Sequence, residues 1–375
     1  MKNNKRIHLI FLIGLLPIFI SANTVVKSPA SLKSLEAGWE WAVKNAGHGK
    51  AFYIGYTFQR LMNENSHIGS WNSETSHKIT LYEMITGKKA EIKRNEKSVS
   101  ELAKEILERK KTKKTPGKKV LKDVALLFRF SGDYKNRYDC QTVKLTHLKV
   151  HVALEKGTVY WLDRFEKKES LNFLYTFFDK TGSDSMKKKI VAAVGMHGAE
   201  AGAFSFFKKV ITGSYAHKIR KDAIFWVGEH ETSQCVKFLF DLTSREKSSD
   251  LKEHAVFSLY RIDLDEADNV LVSLARKSKD RGVRKKAIFW LGQKASDRSA
   301  KVLSGIVKDD PDCEIQKQAV FALSQLSKGK GIQQLITIAK THRNLNVRKQ
   351  AIFWLGQSDD PKALDTIIDI LKIGK

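Results

Sequence analysis

From about residue 186 onwards the apolar positions return with a fixed period. Ala223, Ala255, Ala287, Ala319 and Ala351 stand 32 residues apart. Four residues before each is an aliphatic (Ile219, Leu251, Val283, Ile315, Val347), and four after each is another (Val227, Leu259, Leu291, Leu323, Leu355). Spacing of i, i+4, i+8 lines one face of an α-helix. A second apolar set follows at the same period. It runs through Leu239, Leu271, Leu303, Leu335 and Ile367, then through Leu242, Leu274, Ile306, Ile338 and Ile370. An earlier copy begins at 187–197 (KKKIVAAVGMH), offset by 33. The pattern predicts six helix pairs from about 186 to the last residue. No such pair can bury its apolar stripe alone, so the pairs must stack into an α-solenoid.

Positions that depart from this stripe are the candidates for function. On a helical wheel at about 100° per residue, with Val283 at zero, Ala287 and Leu291 fall at about 40° and 80°. Phe289 then falls near 240°, away from the core. Its copies are Phe225, Phe257, Phe321 and Phe353, five phenylalanines in register. One turn earlier come Lys221, Glu253, Lys285, Lys317 and Lys349, four of them basic. Such a strip of Phe and Lys, with Lys285, Lys317 and Lys349 beside the rings, is the candidate contact for a partner. The alternative is packing of the rings against neighbouring helices. A threefold change of Phe257, Phe289 and Phe321 to Ser separates the two: intact stability with loss of a complex marks a surface, and large destabilisation marks a core. Trp226, Trp290 and Trp354 recur every 64 residues, with Ser258 and Ala322 in the intervening copies. Near −20° on the same wheel, they are expected to pack within the core, large against small.

Residues 23–165 lack this period and suggest a smaller mixed α/β domain. Residues 31–45 suggest a helix. AFYIGYTFQRL, NEN and SHIGSW suggest a hairpin around a polar turn. KDVALLFRFSG suggests another strand, and LTHLKVHVALEKGTVYWLD a pair folding back at Lys156–Gly157, with Val150, Val152 and Leu154 alternating on one buried face. ESLNFLYTFFDK opens the helical part, so 166–375 reads as the solenoid and the N-terminal domain as its cap. The final helix ends at ILKIGK without a polar cap, which leaves self-association through that end open. The segment at 97–119 (KSVSELAKEILERKKTKKTPGKK) suggests a helix with a Ser98–Glu101 capping box, then a basic loop.

Residues 1–22 have a basic start (Lys2, Lys5, Arg6), an apolar run from Ile7 to Ile20, and small residues Ser21 and Ala22. This is the layout of a secretory signal peptide, with an uncleaved anchor as the alternative. The whole chain of 375 residues carries 67 Lys+Arg against 41 Asp+Glu, a formal charge of +26. Loss of residues 1–22 leaves +23. Between Lys88 and Lys122 there are 14 basic and 5 acidic residues. Exported protein of that charge meets anionic lipid, cell-wall polymer or acidic protein; in the cytosol it would suggest nucleic acid. With 42% hydrophobic residues the chain can bury cores, and three scattered cysteines exclude a disulfide-stapled scaffold or a cysteine metal cluster.

The repeat text VRKKAIFWLGQ and VRKQAIFWLGQSDDPKALDTIIDIL resembles bacterial HEAT-like repeats of the PBS-lyase type, which run as Val-Arg, two residues, Ala, three residues, Leu-Gly, then an Asp-containing turn. It is also similar to exported bacterial HEAT-repeat proteins with an added N-terminal domain. The resemblance implies a mainly α fold, with a C-terminal solenoid of about six HEAT-like helix pairs, and a binding scaffold rather than a lyase. No HExxH, GxSxG or GxxxxGK[ST] motif is present, and Ala46-Gly47-His48-Gly49-Lys50 reads as a turn. No enzyme, cofactor or metal site is therefore expected. His197 and His230, at matching places past two helix ends, are expected to meet the last carbonyls. The leading expectation is a non-enzymatic protein–protein scaffold in the bacterial envelope whose partner is an unidentified protein or peptide, an acidic one being one option and a membrane surface another. The alternative is a nucleic-acid-binding solenoid, since the repeats also look like those of HEAT-like alkylpurine DNA glycosylases.

Overall fold

A computed structural model describes residues 23–64, 80–89, 118–150, 152–294 and 296–373. The signal-peptide reading of 1–22, the segment SHIGSW and the basic stretch 90–117 lie outside the described residues. The chain forms two compact units, Met1–Phe165 and Glu166–Lys375.

The first unit is a five-stranded sheet with two described helices. Its strands are β1 (Val25–Lys27), β2 (Phe52–Asn63), β3 (Lys119–Phe130), β4 (Thr142–His147) and β5 (Thr158–Arg164), in the order β1-β5-β2-β3-β4. β1, β5 and β2 run parallel, while β3 is antiparallel to both β2 and β4. Helix α1 (Leu35–Ala46), capped by Ser34, lays Trp39 on Phe128, ring centroids 4.9 Å apart, and its indole N–H donates to the Arg137 carbonyl at 3.0 Å. Short helix α2 (Leu81–Thr86), held by a Thr80–Glu83 capping box, places Leu81 on the opposite face with Tyr53, Ala125, Leu127 and Trp161.

The strand pairing of this unit corrects one sequence reading. β2 pairs in register with β3, which lies more than fifty residues further along, and its other edge pairs with β5. The second strand of the expected local hairpin, SHIGSW, lies outside the described residues. β4 and β5 are not neighbours, so the chain does not fold back as a hairpin at Lys156–Gly157. Val152 is buried and Leu154 partly buried in the core, but outside any strand. Alternation recorded burial there, and burial does not require a ladder. The turn at Gly47–Gly49 is a turn as read: both glycines have positive φ, and the Gly49 N–H donates to the Gly132 carbonyl at 2.8 Å.

The second unit is a mainly α solenoid. Its helices are α3 (Lys167–Lys180), α4 (Asp184–Gly195), α5 (Ala201–Thr212), α6 (His217–Gly228), α7 (Ser233–Arg245), α8 (Ser249–Arg261), α9 (Asp265–Lys277), α10 (Arg281–Lys294), α11 (Asp297–Asp309), α12 (Cys313–Ser324), α13 (Ile332–Thr341), α14 (Leu345–Gly356) and α15 (Pro361–Ile373). Starts are set by side-chain caps: Ser183, Thr232, Ser248, Ser296, Asp312 and Asn344 each accept an N–H of the first turn. The even-numbered helices from α4 to α14 carry the apolar stripe, centred on alanine in α6 to α14 and on Ile190 in α4. They pack directly on one another in a row, and each closes its tightest hairpin with the odd-numbered helix before it. The sequence period is blind to that phase, because every helix has two neighbours at the same repeat.

The Leu-Gly step of the repeat has a steric reason. A Cβ on Gly195 would stand 2.0 Å from the Trp226 ring, and one on Gly292 would stand 2.9 Å from the Ala322 carbonyl oxygen of the next row helix. Glycine lets successive row helices approach closely. Where Tyr260 takes the glycine's place, its ring stacks on Trp290 at 4.5 Å.

Candidate interaction surface

The phenylalanine two positions after each buried alanine emerges between adjacent row helices, as does the tryptophan at the third position in alternate copies, where Ser258 and Ala322 are buried instead. Phe225, Phe257, Phe289 and Phe321 are half-buried, and Phe353 is 54% exposed. The Phe rings point out of the apolar core, yet they do not stand free of their neighbours. Trp290 lies 5.0 Å from Phe257 and 4.9 Å from Phe289; Phe289 faces Phe321 at 6.5 Å; Trp354 lies 5.1 Å from Phe321 and 5.0 Å from Phe353. Between Phe225 and Phe257 the Arg261 guanidinium fills the equivalent gap, 5.3 and 5.9 Å from the two ring centres. These contacts form one continuous strip across five repeats.

The tryptophans are thus corrected in part. Trp226 does pack against Gly195, large against small. However, Trp226, Trp290 and Trp354 are half-buried rather than core, and they bridge or flank the phenylalanines. A wheel around one helix cannot register this, because the bridging contact is made to the next helix. Arg261 was likewise missed; its only signal was a charge one turn after Phe257.

The lysines form one edge of the strip. Lys221 pairs with Asp250 at 2.9 Å, and Lys317 with Glu314 at 2.9 Å. The one acid in that row, Glu253, pairs with Lys286 at 3.0 Å. Lys285 and Lys349 make no ion pair among the described residues. The hydrogen bond from Lys317 holds the Glu314 carboxyl below the usual range, helped by the charges of Lys317 and Lys285. Glu253, Lys285, Lys286, Phe289 and Gln318 line a depression of ≈ 280 Å³ at this edge. Near its other end, burial and the neighbouring Lys221 charge push the His254 imidazole down, against the opposing pull of Asp250 and Asp222.

Among the described residues no group of three or more His, Cys, Asp or Glu is arranged to hold a metal ion. Cys140, Cys235 and Cys313 are free thiols. His197 is fully buried and spans from the Ala193 carbonyl to the Ser170 hydroxyl, 2.8 Å each, so it ties two helices together. A second concavity lies on the first unit's sheet, lined by Thr57, Tyr82, Asp123, Trp161 and Arg164, with Asp163 at a positive φ of 77°. Among the described residues no helix is long and apolar enough to cross a membrane.

Fold and surface together define a helical-repeat solenoid that exposes an ordered aromatic strip along one row of helices. Residues 269–345 and 299–374 match the family model for HEAT repeats, so the C-terminal part of the chain carries that repeat. No curated protein matches the chain in sequence. Among solved structures it is similar to AlkD2 from Streptococcus mutans (13% identity, TM-score 0.35, 50% of this chain and 96% of that one). It is also similar to the complex of CpcE and CpcF of phycocyanin lyase from Nostoc sp. PCC7120 (17% identity, TM-score 0.31, 42% and 100%). Human deoxyhypusine hydroxylase is a third (13% identity, TM-score 0.25, 50% and 84%).

Proposed function

We propose that this protein is a non-enzymatic scaffold that binds a protein partner along the Phe/Trp strip of its HEAT-repeat unit, and that it works in the bacterial envelope after export by residues 1–22. The observation that carries the binding reading is the continuity of the strip. Half-exposed aromatic rings in register over five helices form an apolar surface of a kind that monomers seldom leave without a contact. The basic start and apolar run of 1–22 support export, and the charge of +23 left without them suits an anionic or acidic setting.

Two measurements test the two halves of this reading. In-cell cross-linking should trap a complex with the wild-type chain that is lost in Phe257→Ser/Phe289→Ser/Phe321→Ser, while far-ultraviolet circular dichroism stays helical. A complex that survives in the folded variant removes the strip as the binding surface. Separately, the intact mass of the native protein after separation of cytoplasm from envelope should reveal a mature chain lacking about 22 residues outside the cytoplasm. Full-length chain in the cytoplasm would overturn export and make nucleic acid the next ligand to examine.

A further inference from the structure

Three consecutive row helices present the same trio one turn apart: Lys285–Phe289–Gln293 on α10, Lys317–Phe321–Gln325 on α12 and its C-cap, and Lys349–Phe353–Gln357 on α14 and its C-cap. Residues at i, i+4 and i+8 share a face, so each trio runs along its helix and the three trios lie side by side. The strip therefore has a lysine edge, an aromatic centre and a glutamine edge. All three glutamines are exposed; Gln325 reaches only its neighbour Ser324 at 3.1 Å, and the side chains of Gln293 and Gln357 make no hydrogen bond among the described residues.

The two preceding helices break this pattern by satisfying it internally. At the glutamine position they carry Glu229 and Arg261, which pair at 2.5 Å, and Arg261 covers the faces of Phe225 and Phe257. At the lysine position Lys221 and Glu253 are both paired. Within one chain, then, the strip is closed over two repeats and open over three.

We infer that the open trios of α10, α12 and α14 form a binding track for an extended acidic peptide, laid across the helices. This rests on the scaffold reading above and names its partner class. Exposed glutamine amides both donate and accept, which matches a peptide backbone. Phe289, Phe321 and Phe353 take apolar side chains, and Lys285 and Lys349 take carboxylates. Row helices are about 8–10 Å apart, and an extended chain advances about 3.3 Å per residue, so about three residues of peptide span each repeat. A nucleic-acid strand fits less well. It carries a phosphate at every nucleotide, whereas the lysine edge alternates unpaired Lys285 and Lys349 with Glu314-bound Lys317, and Glu253 lies beside it. A peptide can place its carboxylates selectively; a phosphodiester chain cannot.

The test uses the full chain and a synthetic peptide of about a dozen residues in Asp-Leu-Ser triplets, with binding read by isothermal titration calorimetry. A Lys-Leu-Ser peptide and a single-stranded oligodeoxynucleotide serve as competitors. The acidic peptide should bind, and Gln293→Met/Gln325→Met/Gln357→Met should weaken it about tenfold, as should Lys285→Met/Lys349→Met. Lys301→Met, exposed on α11 and so off the row helices, should leave affinity within about twofold. Absent binding of the acidic peptide, undiminished binding by the glutamine variant, or tighter binding of the oligonucleotide each overturns the inference. If the peptide fails while the Phe→Ser variant still loses its cellular complex, the scaffold reading stands and this one falls.

Discussion

At the scale of single residues, the repeat is shaped by which side chain meets the next helix. Gly195 is the sharpest case, since a methyl there would stand 2.0 Å from Trp226. Gly195→Ala should cost about 1–3 kcal/mol in urea denaturation through overpacking. Trp226→Ser in the same chain should recover much of that loss; additivity of the two changes would refute the contact as the cause. His254 offers a second residue-level test. Its imidazole is held below the ordinary histidine pKa of 6.5, first by burial and then by Lys221, with Asp250 and Asp222 pulling the other way and His217 joining the same Asp250 carboxylate. The unfolded chain therefore binds a proton at this site at higher pH than the folded one does. Stability should fall as pH drops through about 6.5, and His254→Gln should flatten that part of the curve. An unchanged slope would assign the pH dependence to other groups.

Among whole elements, the strip is a property of neighbouring helices rather than of any one. Phe257, Phe289 and Phe321 each contact aromatic rings of an adjacent helix, and such pairs contribute about 0.5–1.5 kcal/mol beyond their buried area. The triple Ser variant should thus lose about 2–4 kcal/mol and still fold, whereas Phe353→Ser, at the exposed end, should lose less than about 1 kcal/mol. Equal losses at Phe353 and Phe289 in chemical denaturation would contradict this gradient. The apolar stripes of these elements were readable because they depend on residues four apart. Trp290 was misassigned toward the core for the opposite reason: its partners, Phe257 and Tyr260, lie some thirty residues away on another helix.

The whole solenoid couples its repeats only through nearest neighbours. Ala287 and Ala351 are equivalent in sequence and both fully buried, yet one is interior and the other is in the last row helix. Ala351→Asp should raise amide exchange over α13 to α15 and leave the other helices protected. Ala287→Asp should loosen α8 to α12 and lower the overall melting transition far more. Exchange spread evenly over all repeats in both variants would show a more cooperative array than nearest-neighbour stacking allows. In the first unit no such locality holds, because β2 finds both its partners far along the chain.

That contrast separates what the residues alone could reveal from what folding decided. The 32-residue period, the stripe through Ala287 and the in-register phenylalanines were legible because an α-helix satisfies its backbone locally and a repeat copies its own contacts. The same row already displayed Lys and Phe at a four-residue step. Tertiary structure alone decided which strands pair, which helices close the tight hairpins, that the tryptophans bridge the phenylalanines, and that Arg261 seals two repeats while three stay open. Each of these is a contact between residues far apart in sequence, chosen by the shape of a neighbouring element, and periodicity along one segment carries no information about its neighbour's shape.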